Sequence, residues 1–346
     1  MKKIVLVLLL FLILAVPANA QELTAPEVTG DAALLLPEGS HSFAEDLLYV
    51  LRSAMAQFLP GLTQCAGICL SLIAMSMLLS LLGSAQGQAK AAVELCGVIG
   101  ISVLLMGSAH AMIQLASETV VQLSDYGKLL LPVLTAALAA SGGTGSSAAL
   151  YAGTAVFDAV LCAATSAVLV PMVYIYLVTA VVNAAVCDEM MKKLRDFIKW
   201  LLSWAMKLVL YVFTGFISIT GIVTGTADQA ALKATKMTLS SMVPVVGGIL
   251  SDASETVLVS AGLVKNSVGV YGLLALIAVL ILPFMRIGAQ YGLLRLTAAA
   301  CGLFTDKKLT GLMEDFAGAM GLLLGQTGTV CLILLISVVC FLRGVG

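Results

Sequence analysis

Charged side chains are scarce along this chain, and long stretches contain almost none of them. Of the 346 residues, 18 are Lys or Arg and 19 are Asp or Glu, so 11% are charged and 60% are apolar. A water-soluble domain carries about 25% charged residues, because its surface must be hydrated. So few charges cannot coat a soluble globule of this length. The sequence therefore predicts an all-α polytopic membrane protein, and the net charge of −1 gives no sign of nucleic-acid binding.

The N-terminal segment, 1–20, has the pattern of a secretory signal peptide. Lys2 and Lys3 precede an apolar core at residues 4–16, which is short for a membrane span. Small residues, Ala18 and Ala20, then occupy the two positions that a signal peptidase requires. We expect cleavage after Ala20 and a mature N-terminus outside the cytoplasm. An uncleaved anchor is the less favoured alternative, because the core is short.

Residues 21–60 form a short acidic segment that ends in an amphipathic helix. From Ser42 to Phe58, apolar residues recur at helical spacing, and Glu45 follows Ser42 at the spacing of a capping box. The pattern predicts an extracytoplasmic segment whose helix lies on the outer membrane surface. The segment is too small to hold a catalytic domain.

The rest of the chain, residues 61–346, is the predicted multipass domain. A membrane span needs about 20 apolar residues. Apolar stretches of sufficient length lie at 62–82, 92–116, 148–187, 200–223, 257–304 and 317–342. Two shorter apolar runs, at 129–140 and 242–250, each end in a polar break, at 141–147 and 251–256 respectively.

Two pairs of prolines indicate an internal duplication. The separation between Pro132 and Pro171 equals that between Pro244 and Pro283, so a single constant offset superimposes the two pairs. At that offset the polar breaks also correspond, so repeat units of about 92–199 and 204–315 are predicted, followed by a final span at 317–342. The four prolines are predicted helix breaks. Coincidence is the alternative, because apolar sequences resemble one another easily.

Basic residues predict the orientation of the two units. Lys and Arg mark cytoplasmic loops, and the strongest such cluster lies at 188–199, with Lys307 and Lys308 forming the second. If both clusters are inside, the units are parallel and each crosses the membrane an even number of times. Two arrangements satisfy this condition. One has ten spans, and the other has six spans with two re-entrant hairpins whose tips are the polar breaks.

Several polar residues interrupt or border the apolar runs and are candidate pore or re-entrant positions. Ionisable groups at membrane depth are costly, which makes them functional candidates. For the polar breaks, the alternative is a loop that reaches the hydrated interface. For Asp158, the favoured alternative to a pore or proton-path group is a hydrogen bond to a nearby Ser or Thr. The candidates are Asp158, Thr144, Asp252, Glu255, Thr256, Lys265 and Asn266.

The basic segment at 188–200 has an apolar face and a charged face, which is typical of an interfacial helix. Anionic lipid already explains its charges, and docking of a cytoplasmic partner is the second interpretation. The candidate docking residues are Lys192, Lys193, Arg195 and Lys199.

The sequence gives no pattern for an enzyme, a metal site or a cofactor. P-loop, HExxH and GxSxG motifs are missing, and the eight cysteines include no CxxC pair. Cysteine in apolar spans behaves as a small hydrophobic residue. We therefore predict a non-enzymatic protein without a cofactor, whose energy input comes from an ion gradient or a partner ATPase.

Residues 233–272, KATKMTLSSMVPVVGGILSDASETVLVSAGLVKNSVGVYG, resemble the most characteristic block of the stage III sporulation protein AE family. The SGGTGSS break at 141–147, the signal peptide and the multispan layout also fit that family, whereas the acidic segment is short for it. The resemblance implies an endospore former and a location in the mother-cell membrane around the forespore. It also implies membership of a channel-like complex related to secretion systems. The partners implied are an ATPase from the same stage III sporulation A operon, ring-forming proteins and stage II sporulation protein Q, and homo-oligomers are possible.

Three functions remain open at this point. The first is an export-gate or channel subunit of the sporulation complex. The second is a secondary transporter for a small molecule, which the repeat and the broken helices favour. The third is a membrane scaffold in which the polar breaks serve only packing.

Overall fold

The computed structural model describes residues 30–37, 43–82, 88–140, 144–186, 188–219 and 267–344, and these are almost entirely helical. A short 3₁₀ helix at Gly30–Leu35 comes first, and a π-helical turn at Thr165–Leu169 joins the third α-helix to the fourth. The α-helices are α1 (Phe43–Leu82), α2 (Gln88–Ala140), α3 (Thr144–Ala164), α4 (Val170–Val186), α5 (Glu189–Ile219), α6 (Ser267–Cys301) and α7 (Lys307–Gly344).

Several predicted features lie outside the described residues. They are the signal peptide at 1–20, residues 21–29 and 38–42 of the acidic segment, Pro244 with its short apolar run, and the second polar break with Asp252, Glu255, Thr256, Lys265 and Asn266. All of these stay predictions.

Among the residues that the structure describes, six helical segments are long and apolar enough to cross a membrane. They are α1, α2, the joined α3 and α4, α5, α6 and α7. The described ranges contain no β-strand. Because lipid supplies no hydrogen-bond partners, a spanning backbone must satisfy its own polar groups, and a helix does so within one segment. The prediction of an all-α polytopic membrane protein is confirmed.

The helices are longer and more continuous than the sequence suggested. α1 runs for 40 residues through Pro60, so it contains both the predicted surface helix and the first predicted span. α2 runs for 53 residues, about 80 Å at the usual rise per residue, and includes the short apolar run at 129–140. A hydrocarbon core is only about 30 Å thick, so much of α2 must leave the lipid or face something other than lipid.

The helices do not stop at two of the predicted breaks. Pro132 lies inside α2 and Pro283 lies inside α6. A proline removes one backbone hydrogen bond, but ending a helix in lipid would expose several polar groups. The Thr135 hydroxyl donates a hydrogen bond of 2.7 Å to the carbonyl of Leu131, next to Pro132, which gives this part of the backbone an additional donor. At Pro171, by contrast, the π-helical turn immediately precedes α4 and interrupts the α-helical pattern.

Continuity favours the six-span arrangement over the ten-span one. Ten spans would require the long stretches after the short runs to cross twice. Residues 144–186 instead form one helical segment, and so do residues 267–301. The run at 129–140 is the end of α2 rather than a separate hairpin leg. The internal duplication itself stays a prediction, because much of the second unit falls at 220–266, outside the described residues.

Six termini of the described helices gather at one end of the bundle, which we call the basic end. One cavity there is lined by the end of α4 and the starts of α5 and α7. A neighbouring cavity is lined by the end of α1, the start of α2 and residues 304–306 after α6. An ion pair of 2.9 Å between Lys308 and Glu94 joins α7 to α2. The crossing directions therefore alternate, and the two predicted cytoplasmic clusters lie on the same side.

α7 occupies the centre of the bundle. It packs against α2, α3, α4, α5 and α6. Of its most apolar stretch, 94% is buried inside the protein, compared with 22–28% for α1, α2 and α5. The outer helices therefore expose apolar side chains as lipid-facing helices do, and α7 is shielded from lipid by its neighbours.

The alternating directions predict opposite accessibility for two engineered thiols. In a protein whose eight native cysteines are replaced by alanine, Ser146→Cys at the start of α3 should react with an impermeant maleimide in right-side-out vesicles. Asp306→Cys at the basic end should react only in inverted vesicles, because positive clusters face the cytoplasm. Labelling of both positions from the same side would contradict this topology.

Candidate functional site

The cavity at the basic end has a volume of about 260 Å³ and is lined by charged residues of both signs. Lys192 and Arg195 come from α5, and Lys307 and Lys308 come from α7. Asp188, Glu189 and Asp315 balance part of this charge. The sequence predicted two separate cytoplasmic clusters, and the structure brings them together in one cavity.

A largely buried ion pair holds α5 against α7 beside this cavity. Arg195 Nη1 donates to Asp315 Oδ2 at 2.7 Å, and the two side chains are only 16% and 12% exposed. The Tyr176 hydroxyl of α4 donates to the other carboxylate oxygen at 3.3 Å. The opposite edge of the guanidinium binds Asp196, whose side chain is 57% exposed. Asp315 of α7 therefore connects three helices, because it accepts hydrogen bonds from α4 and from α5.

The four predicted docking cations divide into two groups. Lys192 and Lys193 are exposed, and Lys192 is 4.0 Å from the exposed carboxylate of Glu189. Arg195 is engaged inside the bundle, and Lys199 is half-buried, with its ammonium close to Gly318 of α7. Only the first two are available to a partner or to lipid headgroups, so the docking prediction applies to half of the set.

Asp158 lies on α3 and is 3% exposed. The Ser124 hydroxyl of α2 donates a hydrogen bond of 2.8 Å to its carboxylate. The favoured expectation for Asp158, a hydrogen bond to a nearby Ser or Thr, is confirmed. Thr144 is the first residue of α3, fourteen positions or about 21 Å from Asp158 along the helix, so these two candidates are not brought together.

A larger polar cleft lies between α1, α2 and α6, about halfway along the bundle. Its volume is about 480 Å³. Gln64 of α1, Gln114 and Glu118 of α2, and Arg286 of α6 supply its polar groups, and Cys65 lies among the lining residues. The Nε atom of Arg286 is buried and has no hydrogen-bond partner among the described residues. We call this feature the lateral cleft.

One outward face of α2 changes character at the lateral cleft. Towards the basic end it exposes apolar side chains at Leu95, Ile99 and Val103. Beyond the cleft most of the side chains that it exposes are polar, with Val121 and Leu129 exposed among them, and the ion pair between Asp125 and Lys128 is more than half exposed. We call the exposed polar residues of this face the polar stripe, and they are Gln114, Glu118, Gln122, Asp125 and Lys128. Their spacing of three or four residues keeps them on one side of the helix.

A sequence model of the family described as Stage III sporulation protein AE matches residues 38–344. The chain belongs to the stage III sporulation protein AE family. A curated relative, stage III sporulation protein AE of Bacillus subtilis (strain 168), is 25% identical over 197 residues, which are 57% of this chain and 49% of the relative. The chain therefore matches about half the length of that relative. No solved structure matches the chain.

As a member of the stage III sporulation protein AE family, the chain is a sporulation-associated membrane protein. Its described residues include no group of three or more His, Cys, Asp or Glu side chains placed to hold a metal ion. Polar groups in the lateral cleft and at the basic end can bind solutes, lipid headgroups or partner chains through charge and hydrogen bonds.

Sequence reasoning on this stage III sporulation protein AE family member missed the lateral cleft. Arg286 was visible as a charge inside an apolar run, but its neighbours come from α1 and α2, which lie far earlier in the chain. The sequence between 117 and 128 is also rich in polar residues. Their outward direction depends on the packing of α2 against α7, which spacing alone does not give.

The buried ion pair at the basic end should contribute strongly to stability. Asp315→Asn leaves the largely buried Arg195 beside a neutral amide, so we expect the free energy of unfolding to fall by about 3 kcal/mol. Asp196→Asn is the matched control, because it removes an exposed partner of the same guanidinium and should cost less than about 1 kcal/mol. Denaturant unfolding in detergent micelles measures both, and equal losses would contradict the assignment.

The hydrogen bond between Ser124 and Asp158 makes a second stability prediction. Ser124→Ala leaves a buried carboxylate oxygen without its donor and should cost about 1–2 kcal/mol. Asp158→Asn keeps an acceptor for Ser124, so its cost should stay below about 1 kcal/mol. If Asp158→Asn proves the more destabilising variant in the same unfolding assay, the role of Asp158 as a packing partner is wrong.

Proposed function

We propose that this chain is a non-enzymatic membrane subunit of the channel-like sporulation complex between mother cell and forespore, where it forms part of an export gate or channel. The polar stripe of α2 carries the proposal. It lies on the outside of a protein whose other outward faces are largely apolar, and it borders an open polar cleft. Hydrophilic side chains on such a surface need water or a polar partner beside them, because lipid cannot solvate them.

A water-filled route would hydrate the exposed polar side chains of the polar stripe and so explains why they are there. A scaffold function gives no reason for polar side chains on this face. The same face of α2 is apolar from Leu95 to Val103, which suits contact with lipid. The polar half, from Gln114 to Lys128, covers about 21 Å along the helix axis. In the proposed function this half lines the aqueous route, and the neighbouring copies or partner subunits of the complex close it.

The basic end suits the side of the membrane that faces the mother-cell cytoplasm. Both positively charged clusters lie there, as the positive-inside rule requires of a cytoplasmic surface. Lys192 and Lys193 remain exposed on α5 and are the cations that a cytoplasmic ATPase of the same complex would meet. The opposite end then faces the intermembrane space, towards the ring-forming proteins and stage II sporulation protein Q.

A secondary transporter for a small molecule is the second candidate function. The lateral cleft favours it, because unpaired polar groups halfway along a membrane bundle are typical of solute sites. The two functions share the lateral cleft and differ in whether partner subunits are needed for passage.

The route predicts a specific effect of removing the polar stripe beyond the lateral cleft. The triple variant Gln122→Leu, Asp125→Leu and Lys128→Leu removes both members of an exposed ion pair together with one amide, so little stability is lost. We expect normal protein abundance and normal co-purification with the other complex subunits, but a fall in heat-resistant spores of about tenfold or more, because an apolar lining disfavours water.

The matched control is Ile99→Leu combined with Val103→Leu, which changes the apolar half of the same face and should sporulate normally. Spore titres in the source organism, together with pull-downs from the same cultures, give both readouts. Normal sporulation of the triple leucine variant would support a scaffold and contradict the proposed route.

A further inference from the structure

Among the described residues, the positively charged Arg286 of the lateral cleft has no ion-pair partner. Arg286 lies near the midpoint of α6, and its Nε atom is buried without a hydrogen bond. Within the described part of the chain, no carboxylate lies within ion-pair distance of its guanidinium. A guanidinium presents several N–H donors in a planar fork that suits a carboxylate. Leaving it unpaired at this depth is costly, which indicates a missing acceptor.

The packing of α6 against α7 shows how deep Arg286 lies. A Cβ added to Gly288 would lie 3.7 Å from Leu324, and one added to Gly321 would lie 3.2 Å from the Tyr291 ring. These contacts place Arg286 at the level of Gln326, halfway along both antiparallel helices. The Nε2 atom of Gln326 is also buried without a partner among the described residues. Polar groups without protein partners therefore recur at this level of the bundle.

The second wall of the lateral cleft carries the opposite charge. Glu118 lines the same space from α2 but makes no ion pair with Arg286. Gln64 and Gln114 add two carboxamides, each able to donate and accept hydrogen bonds. One cation, one anion and two amides around a single space complement a molecule that carries both an anionic and a cationic group.

The size and opening of the lateral cleft suit a small solute. Its volume of about 480 Å³ falls within the range of small-molecule sites in proteins, about 300–1,000 Å³. Glu118 and Gln114 are exposed, so the cleft opens on the side of the bundle, at the start of the polar stripe. Gly61 of α1 lies beside the arginine, because a Cβ added there would be in ordinary van der Waals contact with Arg286 Nε at 3.8 Å.

We propose that the lateral cleft binds a small zwitterion of the α-amino acid class. Arg286 receives the carboxylate, Glu118 receives the ammonium group, and Gln64 and Gln114 complete the hydrogen bonds. The site deepens the proposed function, on which its role in passage rests, whereas binding itself is a property of this chain alone.

Three matched probes test the two halves of the site separately. Alanine carries both charged groups, propionate is alanine without the ammonium group, and ethylamine is alanine without the carboxylate. Calorimetric titration of the full chain in lipid nanodiscs should show binding of alanine, weaker binding of propionate and the weakest binding of ethylamine. Glutamine and leucine extend the panel, because the cleft has room for longer side chains.

Arg286→Gln should weaken binding of alanine and of propionate by about tenfold or more, because a charge-assisted, two-pronged contact is lost. Glu118→Gln should weaken alanine binding and leave propionate binding unchanged. Arg286→Lys keeps the charge without the fork and should bind with intermediate affinity. Arg295→Gln is the matched control, since Arg295 lies on the same helix with its guanidinium over the Tyr291 ring, and it should bind as the unmodified chain does.

The proposal is overturned if none of the three amino acids binds, which would make the lateral cleft a hydrated space only. It is also overturned if alanine binds equally well to Arg286→Gln, or if Arg295→Gln loses as much affinity. Size-exclusion profiles and helical circular dichroism of each variant show whether a loss reflects unfolding, and the Arg286→Lys result then decides. If no amino acid binds but the triple leucine variant loses heat-resistant spores, the amino-acid site is wrong and the proposed route stands. If amino acids bind but the triple leucine variant sporulates normally, the route is wrong and the site stands.

Discussion

A backbone in lipid must form its hydrogen bonds within itself, and the architecture follows from this constraint. Ending a helix at Pro60, Pro132 or Pro283 would expose several backbone groups where no water can replace their partners. The chain instead continues its helices through all three prolines. Polar side chains that a soluble protein could place on loops therefore lie on the faces of long helices, as in the lateral cleft and the polar stripe.

Part of this architecture follows from composition and part does not. Apolar stretches predict a multipass all-α protein with six to ten spans, because the length of a span is fixed by the bilayer, and the continuous helices of the structure favour six. The clusters near Lys192 and Lys307 also predict a shared side. The same reasoning places helix breaks at Pro132 and Pro283, because it weighs the local cost of a proline without the larger cost of an open helix in lipid.

The functional groups depend on contacts between distant parts of the chain, which spacing along the sequence cannot give. Arg195 belongs to a basic segment whose pattern suggests docking, yet the structure pairs it with Asp315, 120 residues later. For Asp158, the sequence predicted a hydrogen bond to a nearby Ser or Thr without saying which one. In the structure the donor is Ser124. The site around Arg286 could not be predicted in this way, because Glu118 comes to line the same cleft only when α1, α2 and α6 pack together.

The position of the lateral cleft gives the two halves of α2 a common explanation. On the side towards the basic end, the outward face is apolar and suits lipid, and on the other side it is polar and requires water. A solute arriving along the polar stripe would meet Gln114 and Glu118 first and Arg286 behind them. Because α7 fills the centre of the bundle and is largely buried, no water-filled route passes along that axis within the described part of the chain. In the proposed function, passage therefore depends on the outer surface of the bundle, which is the surface that partner subunits would close.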